Sequence, residues 1–185
     1  MKLFKKLAAA ALAAVLALSM VGCGAGSKGS TSTASELANI LVDGLAQRQI
    51  DVKHTGEMDN LAAALATSAG KVEGAKEQKI KDLLVNSKVL EAAGFTADDL
   101  KNTAYFVSYV ENYNAKSPST PEEQKIEWMA GQIQYNVQNV GKKGVLWRAK
   151  ALELGAGTVK IGDTEYIVVV AKSVETATPG TPGKD

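Results

Sequence analysis

Apolar residues fall along this chain in three rhythms. In the first they recur every three or four positions, the spacing that lines one face of a helix. Leu37, Ile40, Leu41 and Leu45 predict a helix over 35–48, and Thr33-Ala34-Ser35-Glu36 ahead of it has the form of a capping box. "MDNLAAALATSAG" is Ala-rich and helical up to Gly70. "EGAKEQKIKDLLVNS" puts Ala75, Ile80, Leu83 and Leu84 on one side, and "SKVLEAAGF" predicts a short helix closed by Gly94 in a left-handed conformation. The longest stripe is Ile126, Met129, Ala130, Ile133, Val137 and Val140, a helix over 121–139. Thr120 is placed to cap it, with Pro121 at the first helical position and Glu123 at the third.

The second rhythm is alternation. "QIDVKH", with Ile50 and Val52, predicts a short strand. "GTVKIGDTEYIVVVAKSV" predicts a hairpin, strands 158–161 and 165–172 joined at Gly162-Asp163. Ile167 to Val170 is apolar at every position, so this strand belongs in the interior of a sheet. Gly155-x-Gly157 precedes a strand instead of opening a helix, so it does not match a phosphate cradle and reads as a tight turn into the hairpin. Two stretches stay open. Thr96–Asp99 starts a helix over 97–103, but 104–112 mixes β-formers with helical spacing and reads as strand or helix, as does "GVLWRAKALEL". The expected fold class is α+β: several short helices on a small, mainly antiparallel sheet that includes the C-terminal hairpin.

The third rhythm is an uninterrupted run. "LAAAALAAVLAL" follows the basic head "MKLFKK"; at about twelve residues it has the length of a secretory h-region. It falls short of the roughly 20 residues that span a bilayer. The run ends Ser19-Met20-Val21-Gly22-Cys23, which resembles the lipobox of bacterial lipoproteins, with Met20 where Leu is more usual. The resemblance implies a diacylglyceryl group on the Cys23 thiol and removal of residues 1–22. Residues 23–34 then form the lipidated cysteine and a Gly/Ser/Thr tether, 35–174 a single α+β domain, and 175–185 a disordered tail. The implied location is extracytoplasmic, lipid-anchored to the bacterial membrane, and the membrane is the first expected partner.

Charge narrows the partners further. The 185-residue chain has a formal net charge of +1. Without Lys2, Lys5 and Lys6 the 21 basic residues fall to 18 against 20 acidic ones, a net charge near −2. That excludes the basic footprint of a nucleic-acid binder and a polybasic patch for anionic lipid. One cysteine makes neither an internal disulfide nor a multi-cysteine metal site.

Catalytic chemistry finds little to work with. His54 is the only histidine, and with Glu57 it makes H-x-x-E, but Gly56 between them argues against two ligands on one helix face. No serine sits in a G-x-S-x-G elbow. The pairs Asp98-Asp99 and Glu122-Glu123 stand at helix starts, where they complement the dipole. No catalytic residue, metal or cofactor is therefore expected. The aromatic side chains are the better candidates: Tyr105, Tyr109 and Tyr113 at spacings of four, and Trp128 and Tyr135 seven apart on the capped helix. Exposed, they would serve a ligand or partner, a cell-wall glycan or another envelope protein; buried, they border the core.

A second resemblance concerns the domain. "GKKGVLWRAKALELGAG" leading to "EYIVVV" is similar in rhythm to the C-terminal segment of the CAP superfamily of secreted proteins, and "KHTGEMDNLA" to its H-S-G and G-E-N-L-A stretches. Together they cover about a third of the mature chain. The family's second histidine is absent, with Lys142 and Lys143 near its place, and its early N-x-x-R pattern is missing. The 86 positions from Leu61 to Trp147 exceed the family's spacing, so no functional residue carries over. The sequence favours an anchored, non-catalytic binding or structural module over an envelope hydrolase or a divergent CAP-like domain.

Overall fold

The computed structural model describes residues 30–113, 120–141 and 146–174. The leader, Cys23 and the tail after Val174 lie outside the described residues. Helix α1 (Ser30–Ala46) leads into β1 (Asp51–His54), then α2 (Gly56–Gly70) and the short α3 (Ile80–Leu84), α4 (Ser87–Ala92) and α5 (Ala97–Asn102). β2 (Tyr105–Glu111), α6 (Glu122–Tyr135), β3 (Gln138–Asn139), β4 (Ala151–Ile161) and β5 (Thr164–Ser173) complete the described residues. The strands form one sheet in the order β1-β4-β5-β2-β3, with β1 parallel to β4 and every other pair antiparallel. The class is α+β, as the hydrophobic pattern predicts.

Helices cover both faces of the sheet. On one face α1 and α6 bury Leu37, Leu41, Met129 and Ile133 against Phe106, Leu154, Ile167 and Val169. On the other, α2 to α4 bury Met58, Leu65, Leu83 and Leu90 against Tyr105, Val107, Val168 and Val170. β5 lies between β4 and β2 with helices above and below, which is why its Ile167–Val170 run is apolar at every position.

The boundaries differ from expectation where tertiary packing overrides local signals. α1 begins at Ser30, not at 35, because Thr33 and Ala34 are already buried; the apparent capping box lies inside the helix. α6 starts one residue late, with Pro121 itself at the cap position, and stops at Tyr135 so that β3 can pair with Phe106 and Val107. The stretch 104–112 is a strand, since it must pair Tyr105–Glu111 with Lys172–Tyr166 of β5. β4 runs back to Ala151, eleven residues in all where the hairpin pattern suggests only 158–161. Gly94 has φ 101° after α4, as read from the sequence.

Candidate functional site

β1 ends at His54, where the chain leaves the sheet to start α2. Thr55 caps that helix by accepting from the Met58 amide, and the first turn presents Asp59 back toward the strand. Asp59 holds His54 Nε2 with both carboxylate oxygens, at 2.8 and 2.9 Å. Its Oδ1 also accepts from the Ala156 amide at 2.9 Å. The other ring nitrogen, Nδ1, lies 3.0 Å from Asn39 Oδ1 on α1. Both nitrogens of the ring are therefore engaged within the fold. A general base needs one nitrogen facing the proton it takes. Glu57, the carboxylate suggested by H-x-x-E, is not the partner; Asp59 is. The cluster ties three elements together: α1, the end of β1 and α2.

The Ala156 contact explains why an acid stands there. β1 pairs with Ala151–Leu154 of β4, and among the described residues no strand pairs with that edge beyond Leu154. The Asp59 carboxylate meets the next outward N–H, with α2 lying unusually close. A Cβ on Gly155 would stand 2.1 Å from the Asp59 nitrogen, and one on Gly157 2.5 Å from the Ala63 nitrogen. The two glycines are thus not the turn that their spacing suggests. They sit in the middle of β4 and let the helix backbone rest on the strand.

The five aromatic candidates separate into two groups. Because 105–111 is a strand, Tyr105 and Tyr109 share one face, turned toward α2–α4. Tyr105 is 5% exposed, edge-on to Phe95 at 5.1 Å between ring centroids, and Tyr109 packs edge-on to Tyr166 at 6.3 Å. Burial, followed by the charges of Asp99, Glu57 and Glu153, pushes the Tyr105 hydroxyl up to about 12; burial and then Tyr166 also raise Tyr109. Neither of these two offers an open binding surface.

Tyr113, Trp128 and Tyr135 do. Tyr113 follows β2 and is 38% exposed; Trp128 projects from the outer side of α6 and is 46% exposed. Their rings are tilted at 58° with centroids 4.4 Å apart, so the pair forms one aromatic patch. Tyr135, two turns further along the same side of α6, is 87% exposed. Glu123, Gln124 and Glu127 are exposed on the first half of the same helix.

A groove of about 440 Å³ opens under the β4–β5 turn, lined by Lys76, Gln78, Ile80, Asp163, Thr164 and Tyr166 among others. Its polar lining includes no histidine or cysteine. Asp163 at the turn is exposed, whereas Glu165 accepts from Asn112 Nδ2 at 2.8 Å. Among the described residues no three of His, Cys, Asp and Glu gather to hold a metal ion, and no helix is long and apolar enough to cross a membrane. No family model, curated protein or solved structure matches the chain.

Proposed function

We propose that this chain is a lipid-anchored cell-envelope protein whose domain acts as a non-catalytic binding or structural module. The observation that carries the proposal is the sequence Ser19–Cys23 at the end of a basic-headed apolar run, followed within seven residues by the start of α1. The domain is held close to the place where its cysteine would enter the membrane. Two features of the fold support a binding role. His54 has both nitrogens engaged by Asn39 and Asp59, and three aromatic side chains stand exposed on or beside α6.

The contact residues under this proposal are Tyr113, Trp128 and Tyr135, with Cys23 as the point of lipid attachment. Cys23→Ala tests the anchor. The expected result is that the substituted chain leaves the membrane fraction, while the unsubstituted chain carries the added mass of a diacylglyceryl group. Undiminished membrane retention of Cys23→Ala would refute the anchor.

A further inference from the structure

Strand register shows at which end of the domain α1 begins. α1 approaches β1 with Leu45 at the strand's start, where the Ile50 amide donates to the Leu45 carbonyl, and with Asn39 at its end, 3.0 Å from His54. Following α1 back toward its beginning therefore leads past the end of β1. Ser30 lies nine residues beyond Asn39, roughly 13 Å further along the helix. β4 runs in that same direction to the turn at Gly162.

β2 also points there. Glu111 is opposite Tyr166, Tyr166 is opposite Val159, and the Asn112 amide donates to the Glu165 carbonyl at 2.8 Å. Tyr113 comes next, so its ring and that of Trp128 are at the hairpin end. α6 runs away from this end: its Ile133 carbonyl accepts from the Ser108 hydroxyl, and Asn136 Nδ2 donates to the Tyr109 carbonyl, both near the middle of β2. Tyr135 consequently stands further from the hairpin end than Trp128 does. β5 ends at the opposite pole, with Ser173 beside Leu152.

We infer that the hairpin end faces the lipid bilayer and that Tyr113 and Trp128 rest in its interface. The inference rests on the anchored-module reading above and names the partner of this aromatic pair. The seven peptide steps from Cys23 to Ser30 span at most about 25 Å, so an anchored chain keeps the start of α1 within that distance of the membrane surface. The two exposed rings at that end are of the residue types that settle at a bilayer interface, with an apolar body and one polar atom directed to water. Glu123 and Glu127 on the neighbouring surface of α6 supply no attraction to anionic headgroups, so the contribution of α6 depends on the ring of Trp128. Tyr135, 87% exposed, stands on the side away from the hairpin end and takes no part in this contact.

Cys23 is the only cysteine, so the chain from Cys23 to Asp185 can be coupled chemically to a maleimide lipid in phosphatidylcholine vesicles. Trp147→Phe leaves Trp128 as the only tryptophan. The expected result is a blue shift of Trp128 emission on coupling and about two-fold quenching by lipids doxyl-labelled near the carbonyl, little changed by salt. Tyr113→Ala, a surface change, should weaken the quenching while leaving the circular dichroism unaltered. Trp128 emission indifferent to doxyl lipid would overturn the inference. So would an unquenched Trp128 that instead responds to soluble peptidoglycan fragments, which would make the pair a sugar platform. Because this coupling is chemical, its outcome is independent of whether cells lipidate Cys23, which Cys23→Ala tests alone.

Discussion

Gly157 and Asp59 show how much of this fold rests on single atoms. Gly157→Ala places a methyl group 2.5 Å from the Ala63 nitrogen, and the obstacle is helix backbone, which has no rotamer to yield. The expected loss is about 3 kcal/mol or more, measured as the shift in urea unfolding. An unchanged midpoint would mean that α2 does not rest on β4. Asp59→Ala removes the partners of both His54 and the Ala156 amide, so it should cost about 1–3 kcal/mol. Asn39→Ala, on the exposed side of the same histidine, should cost less than about 0.5 kcal/mol. Equal losses would show that the strand-edge contact is not the larger part. None of this was legible in the sequence. G-x-G before a strand reads as a turn, and only the Ala-rich face of α2, with Ala62, Ala66 and Ala69 buried, hints that a backbone was to approach it.

At the scale of elements, periodicity identified what local residues determine and failed where pairing partners decide. The helix start read at Thr96–Asp99 is self-contained, a capping box with side chain to backbone bonds of 3.0 Å in both directions, whereas the box form at Thr33–Glu36 is overridden by packing. Segment 104–112 is not self-contained; β5 makes it a strand. That choice also decides the aromatic candidates. Tyrosines four apart would line one side of a helix, whereas in β2 Tyr105 and Tyr109 are carried to the α2–α4 side. Trp128 and Tyr135, on a helix correctly expected, keep their shared outer side. Tyr105 offers a test of its burial. Its hydroxyl is raised from 10 to about 12, so the folded state holds the proton more tightly than the unfolded state does. The associated stability is complete below pH 10 and is lost as pH rises toward 12. Tyr105→Phe should therefore unfold at a midpoint less sensitive to pH between about 9.5 and 11.5, the difference from the parent reaching about 1–2 kcal/mol after allowance for solvent screening. Parallel pH profiles for the two chains would contradict this burial.

At the scale of the molecule, one sheet separates two apolar layers that share no helix, and the question is whether they unfold together. Leu37 on α1 and Leu65 on α2 are both fully buried, one in each layer, and each truncation to Ala should cost about 2–5 kcal/mol. β4 and β5 contribute alternate side chains to both layers: Ile167 and Val169 to one, Val168 and Val170 to the other. Neither layer can come apart without removing the packing from one side of the same two strands. In a Trp147→Phe background Trp128 is the only tryptophan and reports on the α1–α6 side, and far-ultraviolet circular dichroism reports on the helices of both. In Leu65→Ala, whose cavity lies on the other side of the sheet from Trp128, the two signals should move together to one lower midpoint, as a single cooperative unit requires. If the dichroism shifted while Trp128 fluorescence held its parent midpoint, the α2–α4 layer would be a separate unit. The hairpin end could then remain folded at a membrane after the other side had opened.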